Sequence, residues 1–185
     1  MKINRFIENN TYIDENEKTI VRFGVSMMIS NIITLVVAIV IAMVLRMLPE
    51  GILLLVSIIV LRQYAGGYHA NSQRLCAFIS CIIYIVGLII IRNNTIYNII
   101  QLIVCLVATI IIFFLSPVDN INNELSDSEK KYLKNKVRIL LSIEVVIFVM
   151  LLINGAEYWS EIIVVAIMIV AGLVLIGFIK NRIRG

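Results

Sequence analysis

Six apolar runs, at 26–48, 51–61, 75–91, 96–115, 137–154 and 161–179, occupy most of the chain and leave few polar residues between them. In hydrocarbon a backbone can satisfy its own polar groups only as a helix or a closed barrel, and no run alternates with the period of two that a barrel strand needs. The expectation is an all-α, polytopic membrane protein with six transmembrane helices, forming one integral domain over residues 1–185. Composition agrees, with 61% hydrophobic and 15% charged residues, where soluble domains hold roughly half and a quarter.

The basic residues orient the bundle. With the N-terminus inside, all but Arg46 and Arg92 of the 16 Lys and Arg residues fall on the inner side, which is the bias that sets topology. An odd number of spans would erase it, so the count supports the short 51–61 run as a real crossing and puts both termini inside. Because the cations are spread between apolar runs rather than gathered on one face, the net charge of +4 does not read as nucleic-acid binding. Residues 1–25 mix four cations and four anions among apolar side chains. They are expected to form an amphipathic segment on the inner leaflet rather than a cleaved leader.

The 51–61 run is too short for a simple crossing, since its residues rise about 16 Å against a hydrocarbon core of roughly 30 Å. Either the helix continues through Gln63 and Tyr64 under cover of its neighbours, or it stops inside the membrane. Both readings put Gly66 and Gly67 below the headgroups, in a pocket open to the inner side. The polar stretch there, residues 62–75, begins Arg62-Gln63-Tyr64-Ala65-Gly66-Gly67-Tyr68-His69 and leads to Cys76; His69 is the chain's one histidine. On a straight helix, side chains seven residues apart stand about 10 Å apart along the axis, too far to cooperate. The glycine pair and the turn formers Asn71 and Ser72 allow the chain to fold back. A re-entrant loop between the second and third helices is therefore expected to bring imidazole to thiol.

That pairing has a chemical reason. A free thiol titrates near about 8.5, and an adjacent imidazolium lowers this, giving a thiolate nucleophile at neutral pH; the imidazole then delivers its proton to the leaving amine. Arg62 would hold a substrate carbonyl or carboxylate, or brace the loop, while Gln63 or amides around Gly67 would stabilise an oxyanion. Cys81 and Cys105, each inside an apolar run, read as packing. The plain alternative is an interfacial histidine beside an inert buried thiol. Two other functions also compete: a small transporter with His69 as proton relay, and a non-catalytic membrane partner of a sensor.

Arg62, Gly66-Gly67-Tyr68-His69-Ala70 and Cys76 resemble the signature of the accessory gene regulator protein B family, membrane peptidases that process quorum-sensing peptide precursors. The likeness extends to the charged N-terminal segment and to Pro117-Val118-Asp119, which leads into a basic inner loop at 116–136. The resemblance implies a nucleophile at Cys76 and a base at His69. The implied partner is a small amphipathic AgrD-like precursor peptide, whose C-terminal tail is cut and whose internal Cys or Ser then captures the acyl-enzyme as a thiolactone or lactone. Arg62 and Gly67 match motif positions with a supporting role. Where family members often carry Asn-Lys-Pro, this chain reads Asn122-Asn123-Glu124. An acidic tail would then meet Lys130, Lys131, Lys134 and Lys136, with Asp119 as a further candidate contact; the same lysines also read as a topology signal on an amphipathic start to the fifth helix.

Glu144, inside the fifth run, reads either as a third catalytic member orienting His69 or as a carboxylate that snorkels or pairs with Arg138 or Lys136. One His and three separated Cys assemble no plausible metal site, and no cofactor is expected. The odd number of cysteines and a reducing interior argue against a structural disulfide. A small bundle with a shallow cavity suits a homodimer in the bilayer.

Overall fold

A computed structural model describes residues 15–67, 73–93, 98–118 and 126–184. They form six helices, α1 (Glu15–Val44), α2 (Leu48–Ala65), α3 (Gln73–Asn93), α4 (Asn98–Leu115), α5 (Asp127–Ile153) and α6 (Glu157–Arg184), with no strand among the described residues. Five of these, all but α5, are long and apolar enough to cross a membrane. α5 has the length, at 27 residues, but Arg138 and Glu144 interrupt its apolar part. The chain is an all-α, polytopic membrane protein.

Local chemistry explains where the helices start and stop. Between α1 and α2, Arg46 takes a φ of 56° and the Met47 amide donates to the Ala42 carbonyl at 2.9 Å; α2 then opens with Pro49 in its first turn, where a missing N–H costs nothing. α2 is 18 residues long, about 27 Å of rise, so the helix does continue through Gln63 and Tyr64. α5 opens with a capping box: Ser126 Oγ accepts from the Glu129 amide at 3.4 Å and the Glu129 carboxylate accepts from the Ser126 amide at 2.9 Å. The Ser126 hydroxyl and amide hold the Glu129 carboxyl below the usual carboxylate range. This start corrects the expected loop at 116–136, because residues from 127 onward are helical. A hydropathy pattern registers only the apolar part of such a helix, and its polar first turns read as loop.

α6 is apolar on every side, and a helix of that kind belongs in the centre of a bundle. It packs against α2, α3, α4 and α5, while α1 lies outside on α2 and α3. Ile162 through Ile167 are each at most 2% exposed. Three helices converge at Gly51, where a Cβ would stand 2.6 Å from that of Ala42 and would also meet the Tyr84 hydroxyl; glycine permits that approach. The outward faces are aliphatic and aromatic. Ile32, Ile103, Phe114 and Val146 are all more than half exposed, a surface that suits hydrocarbon and would associate in water.

Candidate active site

Arg62 lies in the last turn of α2 and Cys76 in the first turn of α3. One guanidinium joins these ends: Nη2 donates to Cys76 Sγ at 3.9 Å and Nη1 donates to Ser80 Oγ at 3.3 Å. Cys76 and Ser80 are four residues apart, so their side chains share a face of α3. The planar fork of Arg62 spans that turn, a geometry a lysine cannot reproduce. It also resolves the length of α2, because the charged residue near its end finds partners within the protein. The sequence had marked Arg62 and Cys76 but not Ser80, which only the i, i+4 spacing from Cys76 could have singled out.

The glycine pair closes the same end. Gly66 has φ 70° and ψ −143° and Gly67 has φ 122°, backbone regions open in practice to glycine alone. Gly66 bridges Val118 in parallel, and the Val118 amide donates to the Ala65 carbonyl at 3.1 Å. A Cβ at Gly66 would stand 2.5 Å from the Val118 carbonyl oxygen, and one at Gly67 would stand 3.1 Å from that of Leu173. The loop therefore leaves α2 with backbone packed on both sides, by the α4–α5 connection and by α6. The expected pocket beside the two glycines is, on their Cβ sides, filled by these neighbours.

The other candidates divide. His69 and Asp119 lie outside the described residues. Gln63 sits with Tyr64 and Lys136 around a cleft between α2 and α5, on the side of α2 away from Cys76. Lys131, Lys134 and Lys136 are exposed along the start of α5, Lys130 partly so. Glu144 is 6% exposed, and its Oε2 has no hydrogen-bond partner. The expected pairing with Arg138 or Lys136 is thus corrected. Six and eight residues along a helix separate them from Glu144 by about 9 and 12 Å of rise, and the Arg138 guanidinium instead lies 4.1 Å from the centre of the Phe113 ring. No group of three His, Cys, Asp or Glu among the described residues could hold a metal ion.

The fold and site define a multi-pass helical membrane protein with a partly buried thiol, a guanidinium and a pinned glycine loop at one end of the bundle. The sequence profile of the family Accessory gene regulator B matches residues 1–176, and the chain belongs to that family. It is similar to an AgrB-like protein of Lactiplantibacillus plantarum, with 28% identity over 171 residues covering 91% of this chain and 84% of the relative. Similarity to Protein FsrB of Enterococcus faecalis is 28% over 145 residues, 75% of this chain and 56% of that protein. An AgrB-like protein of Clostridium perfringens is 24% identical over 136 residues, 70% of this chain and 64% of the relative. The chain therefore spans less than two thirds of the length of the last two. No solved structure matches it.

Proposed function

We propose that the protein takes part in processing a quorum-sensing peptide, as a membrane-embedded cysteine endopeptidase with Cys76 as nucleophile and His69 as base. The substrate is a small amphipathic precursor. Family membership supports the role, and the observation that carries the chemistry is the Arg62 fork on Cys76 Sγ at 3.9 Å. A fixed positive charge beside sulfur favours the anion that attacks. In the proposed reaction the Cys76 thiolate adds to the scissile carbonyl, and the C–N bond then breaks as the amine leaves with a proton from His69. The peptide remains as a thioester on Cys76. A Cys or Ser within it, giving its proton to His69, next attacks that carbonyl; the bond to Cys76 sulfur breaks, which forms the thiolactone or lactone ring and returns the Cys76 thiolate.

The membrane setting favours ring closure. Exchange of thioester for thiolactone replaces like with like, so the competing reaction to suppress is hydrolysis; a site among helices limits water. A precursor helix held at the interface raises the effective concentration of the internal nucleophile. In this reading the catalytic end faces the cytoplasm with both termini inside, six helices cross, and Arg62 and the Gly66-Gly67 strap are positioning elements. The test is Cys76→Ala in purified protein reconstituted in liposomes with a precursor peptide. Cleavage should vanish while precursor binding persists; cleavage or transport undiminished in the variant overturns the reading.

A further inference from the structure

On the side of α2 away from Cys76, a cleft of about 280 Å³ separates α2 from α5, lined by Val60, Gln63, Tyr64, Lys136, Ile139 and Leu140. Its polar members, Gln63 and Lys136, come from the end of the bundle that carries the thiol, and its aliphatic members lie deeper. The walls continue away from that end as exposed aliphatic side chains, Ile59 at 48% and Val56 at 52% on α2, Ile139 at 58% and Ile143 at 50% on α5. Each helix repeats the same spacing, at i, i+3, i+4 and i+7, which keeps these positions on one face. From Lys136 to Ile143 the groove extends about 10 Å. At its mouth the Lys136 ammonium sits 5.5 Å above the Tyr132 ring, and Tyr132 is 58% exposed. Lys131 and Lys134 stand exposed on the preceding turn.

We infer that this cleft is a binding site for one anionic phospholipid, with the phosphate at Lys136 and Gln63 and an acyl chain along Val60, Ile139 and Leu140. A cationic mouth over an aliphatic groove is complementary to a lipid in both charge and polarity. It is a poor fit to an acidic peptide, whose carboxylates and backbone amides would be left without partners along an aliphatic wall. Tyr132 marks the headgroup level, where aromatic side chains with a polar tip settle. The inference needs only that the helices span a bilayer, and it stands whether or not the chain cleaves a peptide.

The full-length protein, reconstituted with phosphatidylglycerol and phosphatidylcholine and then analysed by native mass spectrometry, should retain one phosphatidylglycerol in preference to phosphatidylcholine. Lys136→Gln should weaken that retention about fivefold, the factor expected for one lysine at the surface, and Lys136→Arg should preserve it. Ile139→Trp, which fills the groove with the charge intact, should also expel the lipid. Lys180→Gln, at the same end of the bundle on α6, should leave retention unchanged. Equal retention by Lys136→Gln and the parent overturns the site, as does an equal loss in Lys180→Gln, which would mean diffuse attraction. Better protection of the Lys136 amine from chemical labelling by an acidic synthetic peptide than by phosphatidylglycerol vesicles would also overturn it.

Discussion

Where α2 and α6 begin, Tyr158 donates to Glu50 at 3.1 Å, Ser160 donates to Gln101 at 2.8 Å and Asn98 donates to Glu157. Where α2 ends and α3 begins, Arg62 instead reaches a sulfur and a hydroxyl on one turn, and two glycines with positive φ hold the chain against Val118 and Leu173. Both ends bury polar groups in an apolar bundle. At the first end the bonds join helix to helix, as expected of groups that stabilise a fold. At the second the Arg62 fork lands on the Cys76 sulfur and the Ser80 hydroxyl, and the backbone takes conformations open in practice to glycine alone. Polar burial alone does not mark a site in a membrane bundle; what sets the candidate site apart is a cation on a thiol beside a glycine-only turn.

Substitutions should separate the two ends. The largest effect is expected for Arg62→Ala, which removes the cation from Cys76 and frees Ser80. Cleavage of a precursor peptide should fall about a hundredfold with little change in thermal midpoint, and Arg62→Lys should recover only part of it. A midpoint that collapses together with activity would make Arg62 a structural residue, like those of the opposite end.

Gly66→Ala comes next and has its own control. The methyl group would meet the Val118 carbonyl and force a φ of 70° on an L-residue, at a cost of about 1–3 kcal/mol, so both cleavage and stability should drop. Gly155→Ala imposes the same φ of 70° in open space at the other end. It should cost about 1 kcal/mol with cleavage retained. If the two variants lose cleavage equally, the strap at Val118 does not position the loop.

Tyr158→Phe should lower stability by about 1 kcal/mol through the lost bond to Glu50 and leave cleavage unchanged, which denaturation and a cleavage assay on the same sample will show. The smallest effect belongs to Ser126→Ala at the α5 cap, about 1 kcal/mol or less. Its pH dependence has a definite sign. The Glu129 carboxyl is held below its ordinary range by Ser126, so the cap's contribution is full above that range and is lost as pH falls through the lowered value. The gap between parent and variant should close on acidification.

Much of this fold could be read in the sequence because transfer to hydrocarbon sets it. The apolar runs located six helices, and the isolated Arg62 and Gly66-Gly67 marked the end that carries the candidate site. Helix ends were less legible. α2 continues through Arg62 because Cys76 and Ser80 lie within reach of the guanidinium, and α5 starts at Asp127 because Ser126 caps it, neither of which a hydropathy run records. Pairing was least legible of all. Gly66 and Val118 are joined by backbone across 52 positions, and Glu144 lies apart from the cations nearest to it in sequence; such contacts follow from how helices pack, not from spacing along the chain. The backbone freedom at the glycine pair was anticipated from residue type, but its partners, Val118 and Leu173, were not.

The central claim is that the sulfur held by Arg62 becomes acylated. Incubating the reconstituted protein briefly with a precursor whose internal nucleophile is replaced by alanine, then quenching in acid, should give an intact-mass increase equal to the N-terminal peptide fragment less one water. The adduct should map to Cys76, be released by hydroxylamine and be absent in Cys76→Ala. Cleavage of that precursor by the Cys76→Ala protein, or an adduct carried on Cys81 or Cys105, would contradict the account.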